Sequence, residues 1–556
     1  MKTITLRERT MLRFMNAVTD KPDWTNKVFD EAIVEKWRSE AVNDNNEIPE
    51  DEEGVPFDVE MTKAMFGYSI QELRYRAEQH ITSVHGAVYA LPGDIYKSDT
   101  AISNELKLAL QEAVRPLEDA PESQKDWHPG SDGKVLDLVH PSLFPLIYGV
   151  SKVLPVGSKA TTLEDCIKLI GHVRTSSGSP VKWTFQARKP RILTYINNLH
   201  PKHHSKLYNV IEEVIGAAIP SWELTLALAN HGALYDAPRR IQYDSAEYHD
   251  GDKDGGEEDE HETYPQQEDD EEDEAFEVRW EAWDTARNER RRVILPEPPS
   301  EFNPNEFLGE PFTMMEKLGG RPLQVIVKLA SIELTPDKPE YGGGSWHVEG
   351  MMNEAICATA IYYYSSENVT ESRLAFRQQS HNFDYDDVSY EQEHHDWLHQ
   401  VYGLRQHRDT VQDLGSVVTK EGRLLTFPNI LQHQVQPFKL EDPTKPGHRK
   451  ILALFLVDPH YSVISTADVP PQRHDWWAEE TFGPAHELPS STKMKELIEL
   501  LPVELRDKVM DDMEDDFPIT LEKAEGYREE LMKERMKFQL AHDGDFSSVE
   551  ISLCEH

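Results

Sequence analysis

Cysteine is scarce in this chain. Three residues out of 556, Cys166, Cys357 and Cys554, are odd in number and far apart, so neither a disulfide framework nor a CxxC zinc site is supported. Long apolar runs are also missing. No stretch reaches the roughly 20 residues that a bilayer-spanning helix needs, and residues Met1 to Trp24 mix Arg, Glu, Asp and Lys where a secretory leader would be apolar. A soluble intracellular protein is expected, cytoplasmic, with the nucleus left open. Basic residues are in deficit, with 58 Lys and Arg against 101 Asp and Glu and a net charge of −43. That balance argues against nucleic acid as a partner, because such binding depends on cations that neutralise phosphates. There is no Ser-His-Asp signature, no Gly-rich phosphate loop and no internal repeat.

Much of the negative charge is local. Residues 244–277 hold eighteen Asp or Glu against Lys253 alone, a net of −17. With few large apolar residues, this run reads as a disordered, solvated insertion. The sharper alternative is an acidic arm that recruits a basic protein. Upstream, apolar residues at helical spacing predict helices over Ile70 to His80 and Ala101 to Arg115. Ser205 to Gly232 reads as two helices broken at Pro220. Downstream, short runs rich in Val, Ile, Phe, Tyr and Leu predict strands at Leu323 to Leu334, Trp346 to Glu349, Ile356 to Tyr364, Arg373 to Arg377, Gly415 to Thr419, Arg423 to Phe427, His433 to Phe438 and Lys450 to Val457. A tight turn at Lys420-Glu421-Gly422 would link two of them. Ser490 to Leu540 returns to helix, with Thr520 as a cap. The expected organisation is a mostly helical region over 1–243, an acidic insertion and linker over 244–300, a β-rich core over 301–480 and a helical cover over 481–556.

Within the β-rich core, His347 and Glu349 stand two residues apart. On extended backbone they point the same way, since side chains alternate with period two. His433 opens another strand 84 residues after Glu349, and Arg449 opens the last strand 16 residues later. Two histidines and one carboxylate on one face of a metal leave positions open for other ligands, as non-haem Fe(II) oxygenases require. Arg449 suits a carboxylate because its planar fork offers two parallel hydrogen bonds and stays charged. Apolar residues on both faces of Lys450 to Val457 place Arg449 at the start of a central strand. Taken singly, an H-x-E, a lone histidine or a lone arginine is more often a surface or packing residue; the constellation in one β-rich region is the stronger signal.

These residues resemble the Fe(II)/2-oxoglutarate-dependent dioxygenases, whose pattern is H-x-D/E, a distant His and a downstream Arg or Lys on a double-stranded β-helix. The resemblance covers roughly residues 320–460. It implies an α+β protein with a jelly-roll core, in which His347, Glu349 and His433 bind Fe(II), Arg449 binds the cosubstrate 2-oxoglutarate, and dioxygen is the oxidant. Two departures stand out. Glu replaces the commoner Asp, and Ile451 stands where many members have Ser, so another hydroxyl is needed if one assists. Thr359 and Tyr363 share a strand face and are candidates for cofactor binding, a packed tyrosine being the plainer reading. More closely, Leu323 to Glu349, Tyr362 to Thr370 and Gly422 to Pro459, with Val139 to Leu143 and Tyr195 to Pro201 upstream, are similar to a fungal family catalogued as a domain of unknown function.

The expected activity is oxidation of an unidentified substrate, hydroxylation first, with release of succinate and carbon dioxide. Glu349 argues against the halogenase variant, which needs a halide in place of the carboxylate. Two rivals stay open: a non-catalytic interaction protein on the same scaffold, and a cupin-like metalloenzyme that does not use 2-oxoglutarate, against which Arg449 argues. His394, His395, His399 and His407 offer a weaker zinc-like cluster with no HExxH partner. His200, His203 and His204 read as a loop, with Asn198 and His200 as structural or substrate-lining residues.

Overall fold

The computed structural model describes residues 1–42, 59–82, 85–148, 150–151, 153–154, 181–186, 189–230, 239–249, 265–267, 272–304, 313–317, 321–381, 383, 387–391, 394–482 and 518–553. The strands in chain order are β1 (Val88–Leu91), β2 (Ile95–Ser98), β3 (Val135–Val139), β4 (Val181–Gln186), β5 (Lys189–Ile192), β6 (Tyr248–His249), β7 (Arg292–Val293) and β8 (Leu323–Leu334). They continue as β9 (Glu340–Tyr341), β10 (Ile356–Glu367), β11 (Arg373–Gln379), β12 (Val411–Val418), β13 (Leu424–Pro428), β14 (Gln432–Val435), β15 (Phe438–Lys439) and β16 (Gly447–Val457).

A large antiparallel sheet runs in the order β1-β2-β13-β10-β16-β8-β4-β5, with β3 also paired to β8. A smaller sheet, β12-β11-β14, faces it. Alternation along the long strands decides what fills each side. Ile361 and Tyr363 of β10, with Ala453, Phe455 and Val457 of β16, turn inward and meet Leu374 and Phe376 of β11 and Leu414 and Val417 of β12. Ala358, Ala360, Tyr362, Leu452, Leu454 and Leu456 turn the other way, onto helices Asn104–Glu118 and Ser205–Asn230. The molecule is therefore a mixed α/β protein in which helices cover the outer face of the large sheet and the candidate site lies between the two sheets.

The structure corrects three expectations. Ser205–Asn230 is one helix with Pro220 inside it. Proline in a helix interior costs about 3 kcal/mol, but Leu207, Ile211, Val214 and Ile215 are fully buried before it and Trp222 after it, and each buried aliphatic side chain returns about 1.5–3 kcal/mol. Lys420 to Gly422 does turn, with Gly422 at φ 85°, but β12 and β13 belong to different sheets. The turn therefore carries the chain from one wall to the other and closes no hairpin. Trp346 to Glu349 is not a strand, only His347 making a bridge. Beside its helices, the region expected to be mostly helical over 1–243 also supplies β1 to β5 to the large sheet. These strands have four to six residues each, too few for a clear alternation.

Of the acidic run, residues 250–264 and 268–271 lie outside the described residues, so the insertion expected over 244–277 falls largely there. Its described ends form regular elements. β6 pairs with β7, and helix Asp273–Arg290 follows. The helix expected over Ser490 to Leu540 lies outside the described residues up to 517. Beyond that, Leu521–Phe546 is helical, capped by the Thr520 hydroxyl accepting from the Lys523 amide. No helix among the described residues is long and apolar enough to cross a membrane.

Candidate metal centre

His347 and His433 face each other through two backbone hydrogen bonds, His347 N to His433 O at 3.1 Å and His433 N to His347 O at 2.9 Å. This short antiparallel pairing brings the rings to a centroid distance of 4.3 Å. The approach depends on the glycine loop before His347. Gly343 has φ 90°, and a Cβ there would lie 2.9 Å from the Val435 carbonyl. The Gly344 amide donates to the same carbonyl at 2.9 Å, so the loop docks along β14 as an irregular edge. Glu349 follows two residues later. Its amide donates to Asn429 Oδ1 at 2.8 Å, and Asn429 Nδ2 donates to the Glu349 and Ile356 carbonyls at 2.9 and 3.1 Å.

The side chains of His347, Glu349 and His433 converge, each offering one ligand atom within 4.8 Å of the others. His433 is buried and Glu349 and His347 half-buried. His433 Nε2 stands 3.3 Å from Glu349 Oε1. His347 Nδ1 is 2.8 Å from the Ser345 carbonyl; a carbonyl only accepts, so Nδ1 carries the hydrogen and Nε2 keeps its lone pair. Burial, reinforced by His433, pulls His347 down to about 4. Burial would raise Glu349, but the hydrogen bond and charge of His433 and the charge of His347 outweigh it and hold the carboxyl at about 2. Near neutral pH His347 is an imidazole with a free electron pair and Glu349 a carboxylate, and with the ring nitrogens of His433 beside them the set suits iron, imidazole being a ligand for several divalent metals.

Arg449 is only 3% exposed and lies on β16, paired on both sides by β10 and β8. Its Nε donates to Thr419 Oγ1 at 3.3 Å, and its guanidinium lies over the rings of Tyr363 at 4.7 Å and Phe438 at 5.8 Å. No carboxylate among the described residues pairs with it. Other buried arginines differ. Arg240 holds Glu8 and Glu72, Arg423 holds Asp20 and Asp99, and Arg528 holds Asp126 and Asp137. Thr359 faces the same interior, fully buried, with no hydrogen-bond partner for its hydroxyl. Tyr363 is the aromatic platform beneath Arg449, its phenol pushed up by burial against the opposing Arg449 charge.

Several supporting residues gave no signal in the sequence. Asn429 looks like any turn residue after Pro428, and Thr419, at the end of a strand, supplies the hydroxyl that Ile451 does not. The helix Leu521–Phe546 makes polar contacts at positions seven residues apart. Arg528 bonds Asp126 and Asp137, Arg535 bonds Ser142 at 2.7 Å and Glu354 at 2.8 Å, and His542 lies 3.3 Å from Gln432 Nε2, beside His433. Arg377 joins Asp543 to Gln432 and stacks on Trp346.

The weaker clusters resolve differently. His394, His395, His399 and His407 form no three-ligand group among the described residues, whereas His200, His203 and Glu479 do, as do His128, Asp137 and His140. Asn198, at φ 65°, donates to the His140 and Leu143 carbonyls. The Val139 to Leu143 and Tyr195 to Pro201 stretches are thus tied to each other.

Comparison with known proteins places this architecture in context. No curated protein matches. Among solved structures, IDO from Bacillus thuringiensis is 11% identical, covering 24% of this chain and 46% of its own, with a TM-score of 0.15. A bsmA homolog from Methylobium petroleophilum PM1 is 12% identical over 30% and 57%, TM-score 0.17. The Fe(II)/α-ketoglutarate-dependent dioxygenase TqaL is 10% identical over 64% and 90%, TM-score 0.20. The chain spans about half the length of the first two. Family models match most of it, an N-terminal domain of unknown function over residues 1–40 and the protein of unknown function DUF4246 over residues 63–480. The chain belongs to the DUF4246 family.

Proposed function

We propose that this protein is an Fe(II)- and 2-oxoglutarate-dependent dioxygenase built on a double-stranded β-helix. The observation that carries the reading is Arg449, a buried cation with no carboxylate partner among the described residues, in the same inter-sheet space as the His347, Glu349 and His433 side chains. A buried guanidinium that lacks its counter-ion carries a desolvation cost, which a dicarboxylate held between Arg449 and a metal would offset.

In this reading His347 Nε2, His433 Nε2 and a Glu349 oxygen hold Fe(II). Iron bound there supplies dioxygen activation coupled to oxidative decarboxylation: 2-oxoglutarate, dioxygen and a substrate C–H bond become succinate, carbon dioxide and a hydroxylated product. The chain's own groups do the positioning. Ser345 fixes the His347 tautomer, Asn429 fixes the backbone that aims Glu349, and Arg449, steadied by Thr419 and Tyr363, takes the far carboxylate in a charge-assisted fork. Thr359 offers a further hydroxyl to the same ligand. Phe427, whose ring lies 4.8 Å from that of His433, keeps that side of the centre dry.

The test is succinate release from 2-oxoglutarate by the protein loaded with Fe(II) in air, compared with His433→Ala and Arg449→Met. Succinate from wild type alone supports the reading. Metal binding without 2-oxoglutarate binding would instead favour a cupin-like metalloenzyme, and no metal binding would favour an interaction scaffold.

A further inference from the structure

Away from the metal centre, a pocket of about 510 Å³ opens where the first residues of the chain, the segment after Arg239 and the loop beyond β11 meet. Phe376 of β11 pairs with His433, and His381 in the pocket wall is five residues further on, about 16 Å by strand rise. The wall includes Lys2, Thr5, Arg239, Tyr243 and Tyr402, and shares no residue with the metal centre. Arg239 is half-buried, and its Nε is sealed from solvent without an acceptor. No hydrogen bond or ion pair from its guanidinium reaches any described residue. Lys2 is half-buried and its ammonium is likewise unpaired among the described residues. Two acids line the same wall. Asp387 stands 3.2 Å from His381, and Asp244 is exposed at the rim, with no ion pair to Arg239. Burial pulls the Arg239 guanidinium down from its usual value, and the charge of nearby Glu8 offsets only part of it.

We infer that this pocket is a second ligand site, for a small oxyanion, a carboxylate or a phosphate, held by Arg239 and Lys2. The volume falls in the range of small-molecule sites, and a guanidinium that faces a pocket and has no hydrogen-bond acceptor among the described residues is the group that recognises planar or tetrahedral oxyanions in two parallel hydrogen bonds. The tyrosines border the anion and leave room for a short organic body. The inference is independent of the iron reading and survives its failure.

The full chain is titrated calorimetrically with inorganic phosphate, and in the Arg449→Met background with succinate, so that the metal centre does not contribute. Saturable binding of either is expected, weakened about tenfold or more by Arg239→Gln, the loss of one charged hydrogen-bonding partner. Metal content should be unchanged. Phosphate alone binding assigns a phosphate ligand, succinate alone a carboxylate. No saturable binding of either anion, or equal affinity in Arg239→Gln, overturns the site. If Arg239→Gln does not fold, Lys2→Gln decides: weakened binding supports the site, and unchanged affinity overturns it.

Discussion

Arg449→Met should make the protein without cosubstrate as stable as wild type or more so, while removing its affinity for 2-oxoglutarate. Methionine keeps the apolar stem but ends short of the guanidinium, so the stacking on Tyr363 and Phe438 is lost with the charge. The arginine gains about 0.5–2 kcal/mol from the two aromatic faces and about 1.5–3 kcal/mol from the charged hydrogen bond to Thr419. Against this stands an effective desolvation penalty of several kcal/mol per buried ion, with no carboxylate among the described residues to offset it. The balance is near zero or favours methionine by about 1–2 kcal/mol. Binding moves the other way, because truncating one member of a buried charge pair costs about 2–5 kcal/mol, a loss of about thirtyfold or more. Denaturant unfolding, with and without saturating 2-oxoglutarate and a redox-inert divalent metal, reads both. The reasoning is refuted if Arg449→Met loses several kcal/mol in the absence of ligand and binds 2-oxoglutarate as well as wild type; that pattern is what a structural arginine would give.

His347→Ala and His433→Ala should each abolish stoichiometric metal binding in an otherwise folded chain, and metal analysis showing normal content in both would remove the assignment. Asn429→Ala frees the backbone on both sides of Glu349 and should weaken metal affinity about 10–100-fold, measured by competition with a chelator. Glu72, buried with Arg240 and Arg76, is subject first to burial, which raises it, but the charges of the two arginines bring it down to about 2. Its folded value lies below its unfolded one, so its contribution is present above about pH 4.5 and lost as pH falls from there through 2. Glu72→Gln should therefore flatten the acid limb of a stability-against-pH curve, and an unchanged limb would count against the network. Excising residues 250–264 should leave melting temperature and metal content unaltered, because an acidic run with few apolar residues has little to add to a core; a chain that no longer folds would place it inside the folding unit.

The convergence of His347, Glu349 and His433 was legible in the chain because its signal is local, a period-two His-x-Glu beside a glycine loop, and because His433 lies at the start of a strand. Arg449 was placed through the apolar alternation that follows it. What escaped was long-range. The eight residues after Arg423 include Asn429, whose clamp on Glu349 requires knowing that β13 ends beside the His347 loop. Thr419 meets Arg449 only because the chain crosses between sheets at Gly422. Pro220 misled because burial on both sides of a helix is a tertiary effect that propensity does not contain. β1 to β5 were hidden by helices on either side and by their own brevity.

That interleaving bears on how the protein can be handled. A fragment cut at the apparent start of the β-rich half would bare β13 where β2 lies and β8 where β3 and β4 lie. Unpaired edges of long apolar strands template aggregation. Insolubility of such a fragment would say nothing about the candidate metal centre, and any version small enough for spectroscopy has to keep residues 88–192 joined to the rest. The same arrangement delays completion of the sheet during synthesis, since β2 waits for β13, more than three hundred residues later in the chain, with its edge in need of protection until then.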